Sequence, residues 1–175
     1  MKRLSIVAVA LSLLAAGCTK NSSTSPTTPT PAANPVFTAS LSPANEVPPI
    51  TNAESSVSGT ANITLVTTKD GAGNITSATA TFGVTLGGFP AGSNINIAHI
   101  HEGASTCACP VVVNTSLAAG EVAVSNGLAS FTKSNISLTP EVAQRIIANP
   151  AGFYFNVHST LNPGGVARGT LVKIQ

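Results

Sequence analysis

Three histidines are all the imidazole this chain carries, and two of them stand one residue apart in Ala98-His99-Ile100-His101-Glu102-Gly103. The third, His158, lies far downstream in the run Phe153-Tyr154-Phe155-Asn156-Val157-His158. Residues i and i+2 of a strand share a face about 7 Å apart, near enough for two rings to converge on one ion. Neutral imidazole suits copper or zinc, and a third nitrogen from a neighbouring strand would complete a three-nitrogen site with an open position. Alternation places Ala98 and Ile100 on one face and both histidines on the other. In the second stretch, Phe153, Phe155 and Val157 share a face, with Tyr154, Asn156 and His158 opposite. All three histidines therefore fall on the non-core faces of their strands. Periodicity does not make the two strands neighbours. The competing reading is structural, with each ring packed on its neighbours and bonded to a backbone carbonyl. Glu102 and Asn156 are candidates for orienting an imidazole; Glu102 reads equally as a solvated turn residue.

Cys107 and Cys109 follow the histidine pair within a few residues. In an oxidising compartment they tend to pair, and a local disulfide across one residue requires compressed Cα atoms. The alternatives are thiolate ligands for Cu(I) and intermolecular bridges. Arg168, in Gly164-Gly165-Val166-Ala167-Arg168-Gly169, either attracts anions toward an open metal site or bonds loop carbonyls and fixes the Gly-rich turn. In Asn45-Glu46-Val47-Pro48-Pro49 the proline pair ends a strand, and Glu46 or Asn45 ties down the loop. No Ser/His/Asp constellation and no carboxylate pair in related motifs is present, so a binding role is favoured over catalysis.

These residues must be positioned by short strands. Ser, Thr and Asn are frequent and the apolar positions are mostly Val, Ile, Ala and Leu, with 15 Gly and 12 Pro and only 8% charged residues, a mixture that favours strands and turns over helices. Residues 57–66 put Val57, Gly59, Ala61, Ile63 and Leu65 on one face. Residues 75–86 do the same with Ala78, Ala80, Phe82, Val84 and Leu86, and the polar run Lys69–Asn74 joins them as a hairpin. Further strands are expected over residues 95–101, 111–113, 121–124, 128–132, 153–158 and 166–174. Thr139-Pro140-Glu141 opens the one helical stretch and Asn149-Pro150 closes it. The expectation is an all-β Greek-key sandwich with one short helix.

The first residues read differently. Lys2 and Arg3 precede a short apolar run, Leu4–Ala16, too short to span a bilayer and shaped like a secretory leader over residues 1–17. Leu14-Ala15-Ala16-Gly17-Cys18 resembles a bacterial lipobox, which implies a diacylated Cys18 as the mature N-terminus. Thr19, rather than Asp, then favours an outer-membrane location. Residues 18–35, rich in Ser, Thr and Pro, form an extended tether, and the domain occupies residues 36–175. From Cys18 onward six basic residues balance six acidic ones, which leaves no electrostatic footprint for nucleic acid.

In order and spacing, the blocks at Asn45–Pro49, Ala98–Gly103 and Asn156–Leu171 resemble the CHRD domain, named after its repeats in chordin and found in many bacterial secreted proteins. The resemblance covers residues 37–174 and implies an extracytoplasmic β-rich module. A weaker resemblance, to the copper–zinc superoxide dismutases, lies in residues 91–107 and 155–171. It implies that His99, His101 and His158 match three copper ligands and Arg168 the anion-guiding arginine, on a superoxide-dismutase-like or immunoglobulin-like sandwich. The bridging histidine and the zinc ligands of that family have no counterparts, since no histidine remains and Asp70 is the only aspartate. A two-metal dismutase is excluded. Two readings stand: a lipid-anchored cell-envelope binding module for an unknown protein or envelope ligand, or a copper-binding protein using the three histidines, with superoxide-related redox activity.

Overall fold

The computed structural model describes residues 33–175. The leader, Cys18 and the tether up to residue 32 lie outside the described residues. Nine strands follow: β1 (Val36–Leu41), β2 (Ser58–Lys69), β3 (Ile75–Gly87), β4 (Ile95–Glu102), β5 (Val111–Asn114), β6 (Ala129–Leu138), β7 (Phe153–Ser159), β8 (Ala167–Thr170) and β9 (Val172–Lys173). They form two antiparallel sheets, in the orders β6-β3-β2-β1-β9 and β5-β4-β7-β8, which together make the expected all-β sandwich. The one α-helix among the described residues, α1 (Pro140–Ala148), begins as its sequence dictates. Thr139 caps the backbone N–H of Val142, and Pro140 occupies a first-turn position where no donor is missed.

The alternation of β2 and β3 is what closes the core. Ala61, Ile63 and Leu65 of β2 and Ala80, Phe82 and Val84 of β3 are almost wholly shielded, as are Ala98 and Ile100 of β4 and Phe155 and Val157 of β7. Phe82 and Phe155 stack across the gap between the sheets with ring centroids 5.7 Å apart. Aromatic pairs of this kind add about 0.5–1.5 kcal/mol beyond the area they bury. The β2–β3 hairpin turns through Asp70, whose carboxylate accepts from the N–H groups of Ala72 and Asn74.

Three local expectations need correction. Residues 121–124 form no strand; Val122 makes only an isolated bridge to Ile95. Residues 166–174 are not one strand either. β8 belongs to one sheet and β9 to the other, and the chain changes sheets at the buried Leu171. The third concerns β7. Alternation leaves one of its faces to solvent, yet all seven of its residues are buried. The outer face of the β4–β7–β8 region is roofed by loops, which a pattern of apolar residues within a strand cannot reveal.

Candidate metal centre

Strand pairing brings the three histidines together. β4 and β7 are hydrogen-bonded neighbours, with His99 opposite Asn156, His101 opposite Tyr154 and Ile97 opposite His158. Since Ala98 and Ile100 enter the core, the rings of His99 and His101 emerge from the other face. There they meet His158, with ring centroids 4.5 Å apart for both His99–His101 and His99–His158. One ligand nitrogen from each ring lies within 4.8 Å of the others. The cluster is on the outward face but not in open solvent, with the three residues 4%, 8% and 6% exposed.

The roof orients the rings. His101 Nδ1 contacts the carbonyl of Cys109, and His158 Nδ1 lies 2.8 Å from the carbonyl of Pro163. A carbonyl only accepts, so each Nδ1 carries the proton and each Nε2 keeps its lone pair. His158 Nε2 is 2.8 Å from His99 Nε2. With the lone pair already assigned to His158, the bond between them needs the proton on His99 Nε2. Two imidazole nitrogens, each about 2.0–2.1 Å from one ion, stand about 2.8–3.4 Å apart for angles between a right angle and the tetrahedral value. The His99–His158 spacing meets that condition, and the ligand nitrogen of His101 lies within 4.8 Å of both.

Burial keeps the set neutral. It lowers the pKa of all three imidazoles. His99, with His158 and His101 adding to the effect, is pushed down to about 3. The Cys109 carbonyl partly opposes the fall for His101 and the Pro163 carbonyl for His158, while the Arg168 charge reinforces both. Unprotonated nitrogen is the form that binds a metal.

The supporting residues come from far along the chain. Tyr154 stacks face to face on His101, centroids 4.6 Å apart, and the Arg168 guanidinium lies 4.7 Å above the Tyr154 ring. The Tyr154 hydroxyl donates to the Cys107 carbonyl and accepts from the Cys109 N–H. Cys107 and Cys109 are joined as a local disulfide with Cα atoms 5.2 Å apart, so their sulfurs are paired with each other. Arg168 is buried and ion-paired with Glu46 at 2.6 Å, and it also donates to the Cys107 carbonyl. Its guanidinium is thus engaged by Glu46 and by the roof. Glu102 turns away from the cluster to a bidentate pair with Arg145.

The loop that supplies the Pro163 carbonyl is pinned by Glu54, which is fully buried. Its carboxylate accepts from the Ser159 hydroxyl and the Asn162 amide, and Asn52 reaches Asn162 at 2.8 Å. Sequence reasoning missed Glu54 and Tyr154. A buried carboxylate in a loop has no periodicity, and Tyr154 passes for one more residue on a wet face.

Fold and site together define a β-sandwich with a neutral three-imidazole cluster under a loop roof. The CHRD domain profile matches residues 37–171, and the chain belongs to the CHRD domain family. No curated protein and no solved structure matches it.

Proposed function

We propose that this CHRD domain is a metal-binding module of the bacterial cell envelope, holding one Cu(II) ion through His99, His101 and His158 and tethered to the outer membrane by a lipid on Cys18. One observation carries the metal reading: three neutral imidazole nitrogens lie within 4.8 Å of one another. Two of the rings are already held in the Nδ1-protonated tautomer that leaves Nε2 for an ion. All-imidazole donors favour copper over zinc in intrinsic affinity. The role is binding rather than turnover, because the one arginine beside the cluster is committed to Glu46.

Copper titration of the metal-free domain tests the reading. The expected result is one equivalent of Cu(II) with nitrogen hyperfine structure in the spin-resonance spectrum, lost in the His99→Ala/His101→Ala/His158→Ala variant. Equal uptake by that variant overturns it. The tether is tested separately by mass spectrometry of membrane-extracted protein, where Cys18→Ala should abolish a diacylglyceryl adduct.

A further inference from the structure

Among the described residues, six buried side-chain atoms lack a hydrogen-bond partner, and four of them belong to one row of side chains: His99 Nδ1, Asn156 Oδ1, Asn156 Nδ2 and Glu46 Oε1. The row follows from register. His99 of β4 is opposite Asn156 of β7, which is opposite Arg168 of β8, and Arg168 is paired with Glu46. Asn156 therefore stands between the imidazole cluster and the buried ion pair. Gly165 marks its approach to Glu46. A Cβ placed there would lie 2.7 Å from Asn156 Nδ2 and 2.7 Å from Glu46 Oε1. That places the amide's nitrogen end on the carboxylate side, while His99 faces Asn156 across the β4–β7 register. Unsatisfied buried polar atoms cost about 1–3 kcal/mol each, and four in a row demand an explanation.

The placement of protons in the cluster supplies one. His99 donates through Nε2 to His158, so its Nδ1 is a bare acceptor with nothing to accept. An ion bound at His99 Nε2 displaces that proton, and the neutral ring must then carry hydrogen on Nδ1. The four atoms then become two matched pairs. His99 Nδ1–H donates to Asn156 Oδ1, and Asn156 Nδ2–H donates to Glu46 Oε1.

We infer that Asn156 is a positioning residue for the metal centre, accepting a hydrogen bond from His99 only when His99 binds an ion through Nε2 and passing that contact on to the Glu46–Arg168 pair. The inference rests on the metal reading above. It makes ion binding a tautomer switch at His99, with the polar row complete only in the loaded state. Such partners of ligating histidines typically contribute about 10–100-fold in metal affinity.

Long-range proton–nitrogen correlation spectra of nitrogen-15-labelled protein with and without Zn²⁺, which is diamagnetic, test it on the wild type. The expected result is a His99 hydrogen on Nε2 in the metal-free protein and on Nδ1 in the zinc form. Asn156→Leu should bind zinc about 10–100-fold more weakly. Asn156→Asp combined with Glu46→Gln keeps an acceptor for His99 and should recover most of that loss. A wild type that binds zinc with Nδ1 already protonated before loading, or with Nδ1 as the ligand atom, overturns the role of Asn156 and leaves the metal reading standing. Unchanged zinc affinity in a folded Asn156→Leu protein does the same. A wild type that takes up no zinc and no copper removes both. If the leucine variant does not fold, the wild-type tautomers decide alone.

Discussion

At Arg168 one side chain serves three neighbours: it pairs with Glu46, holds the Cys107 carbonyl and covers the Tyr154 ring that stacks on His101. Both members of the ion pair are 3% exposed, so removing either strands a charge away from water. Burial drives the Glu46 carboxyl above its usual range, and Arg168 pulls it back. Arg168→Ala should cost about 3–5 kcal/mol in denaturant unfolding, the scale for breaking a buried pair from one side. The Glu46→Gln/Arg168→Met double variant should cost less than Arg168→Ala alone, because no charge is left unpaired. Equal losses would mean that packing against Tyr154, not charge, is what Arg168 supplies. By contrast the Glu102–Arg145 pair is solvent-exposed, and Glu102→Ala should change stability by no more than about 1 kcal/mol.

Among the elements, those with strong internal periodicity were legible and those defined by contact were not. Val57 through Leu65 and Ala78 through Leu86 alternate without interruption, and the hairpin they predict is there. Thr139-Pro140 is equally local, and Thr139→Ala should lower stability by about 1 kcal/mol through loss of the bond to the Val142 N–H. β8 is the opposite case. Residues 166–174 look like one strand because every short-range preference is satisfied, yet the chain must leave its sheet where β8 runs against the end of β1. Ser42 and Arg168 exchange backbone hydrogen bonds there, and a Cβ on Gly169 would sit 2.1 Å from the Ser40 carbonyl oxygen. That approach is a long-range fact with one glycine as its only local trace. Gly169→Ala should therefore destabilise by about 1–3 kcal/mol or more, as overpacking does, while a similar change at the open Gly71 should be nearly silent. The candidate site divides the same way. Histidine faces were readable from alternation, and their convergence came only with the β4–β7 pairing. The roof, built by Glu54, Pro163 and the Cys107–Cys109 loop, has no period to read.

For the whole molecule, the histidine cluster links stability to both pH and metal, and the signs are opposite. All three imidazoles have folded-state pKa values below the ordinary value of about 6.5. Between that value and the folded one, about 3 for His99, the unfolded chain binds more protons than the folded domain. Stability then rises with pH. Acidifying the metal-free domain from pH 7 should leave it unchanged until about pH 6.5 and then weaken it steadily toward pH 3. In His99→Ala/His101→Ala/His158→Ala that slope should shrink to whatever the carboxylates contribute. An ion that binds only the folded cluster acts in the other direction, stabilising by RT ln(1 + [M]/Kd), about 2.7 kcal/mol at a free concentration 100 times Kd. Protons compete for the same nitrogens less in the folded domain than in the unfolded chain, because burial lowers all three folded pKa values. The copper-induced rise in melting temperature should therefore fall off at a lower pH than it would for an exposed histidine cluster with ordinary pKa values. Thermal melts at pH 7 and pH 5 with and without Cu(II) measure this directly. A shift lost over the same pH range as ordinary exposed imidazole would mean that the ion binds at exposed nitrogen rather than beneath the roof.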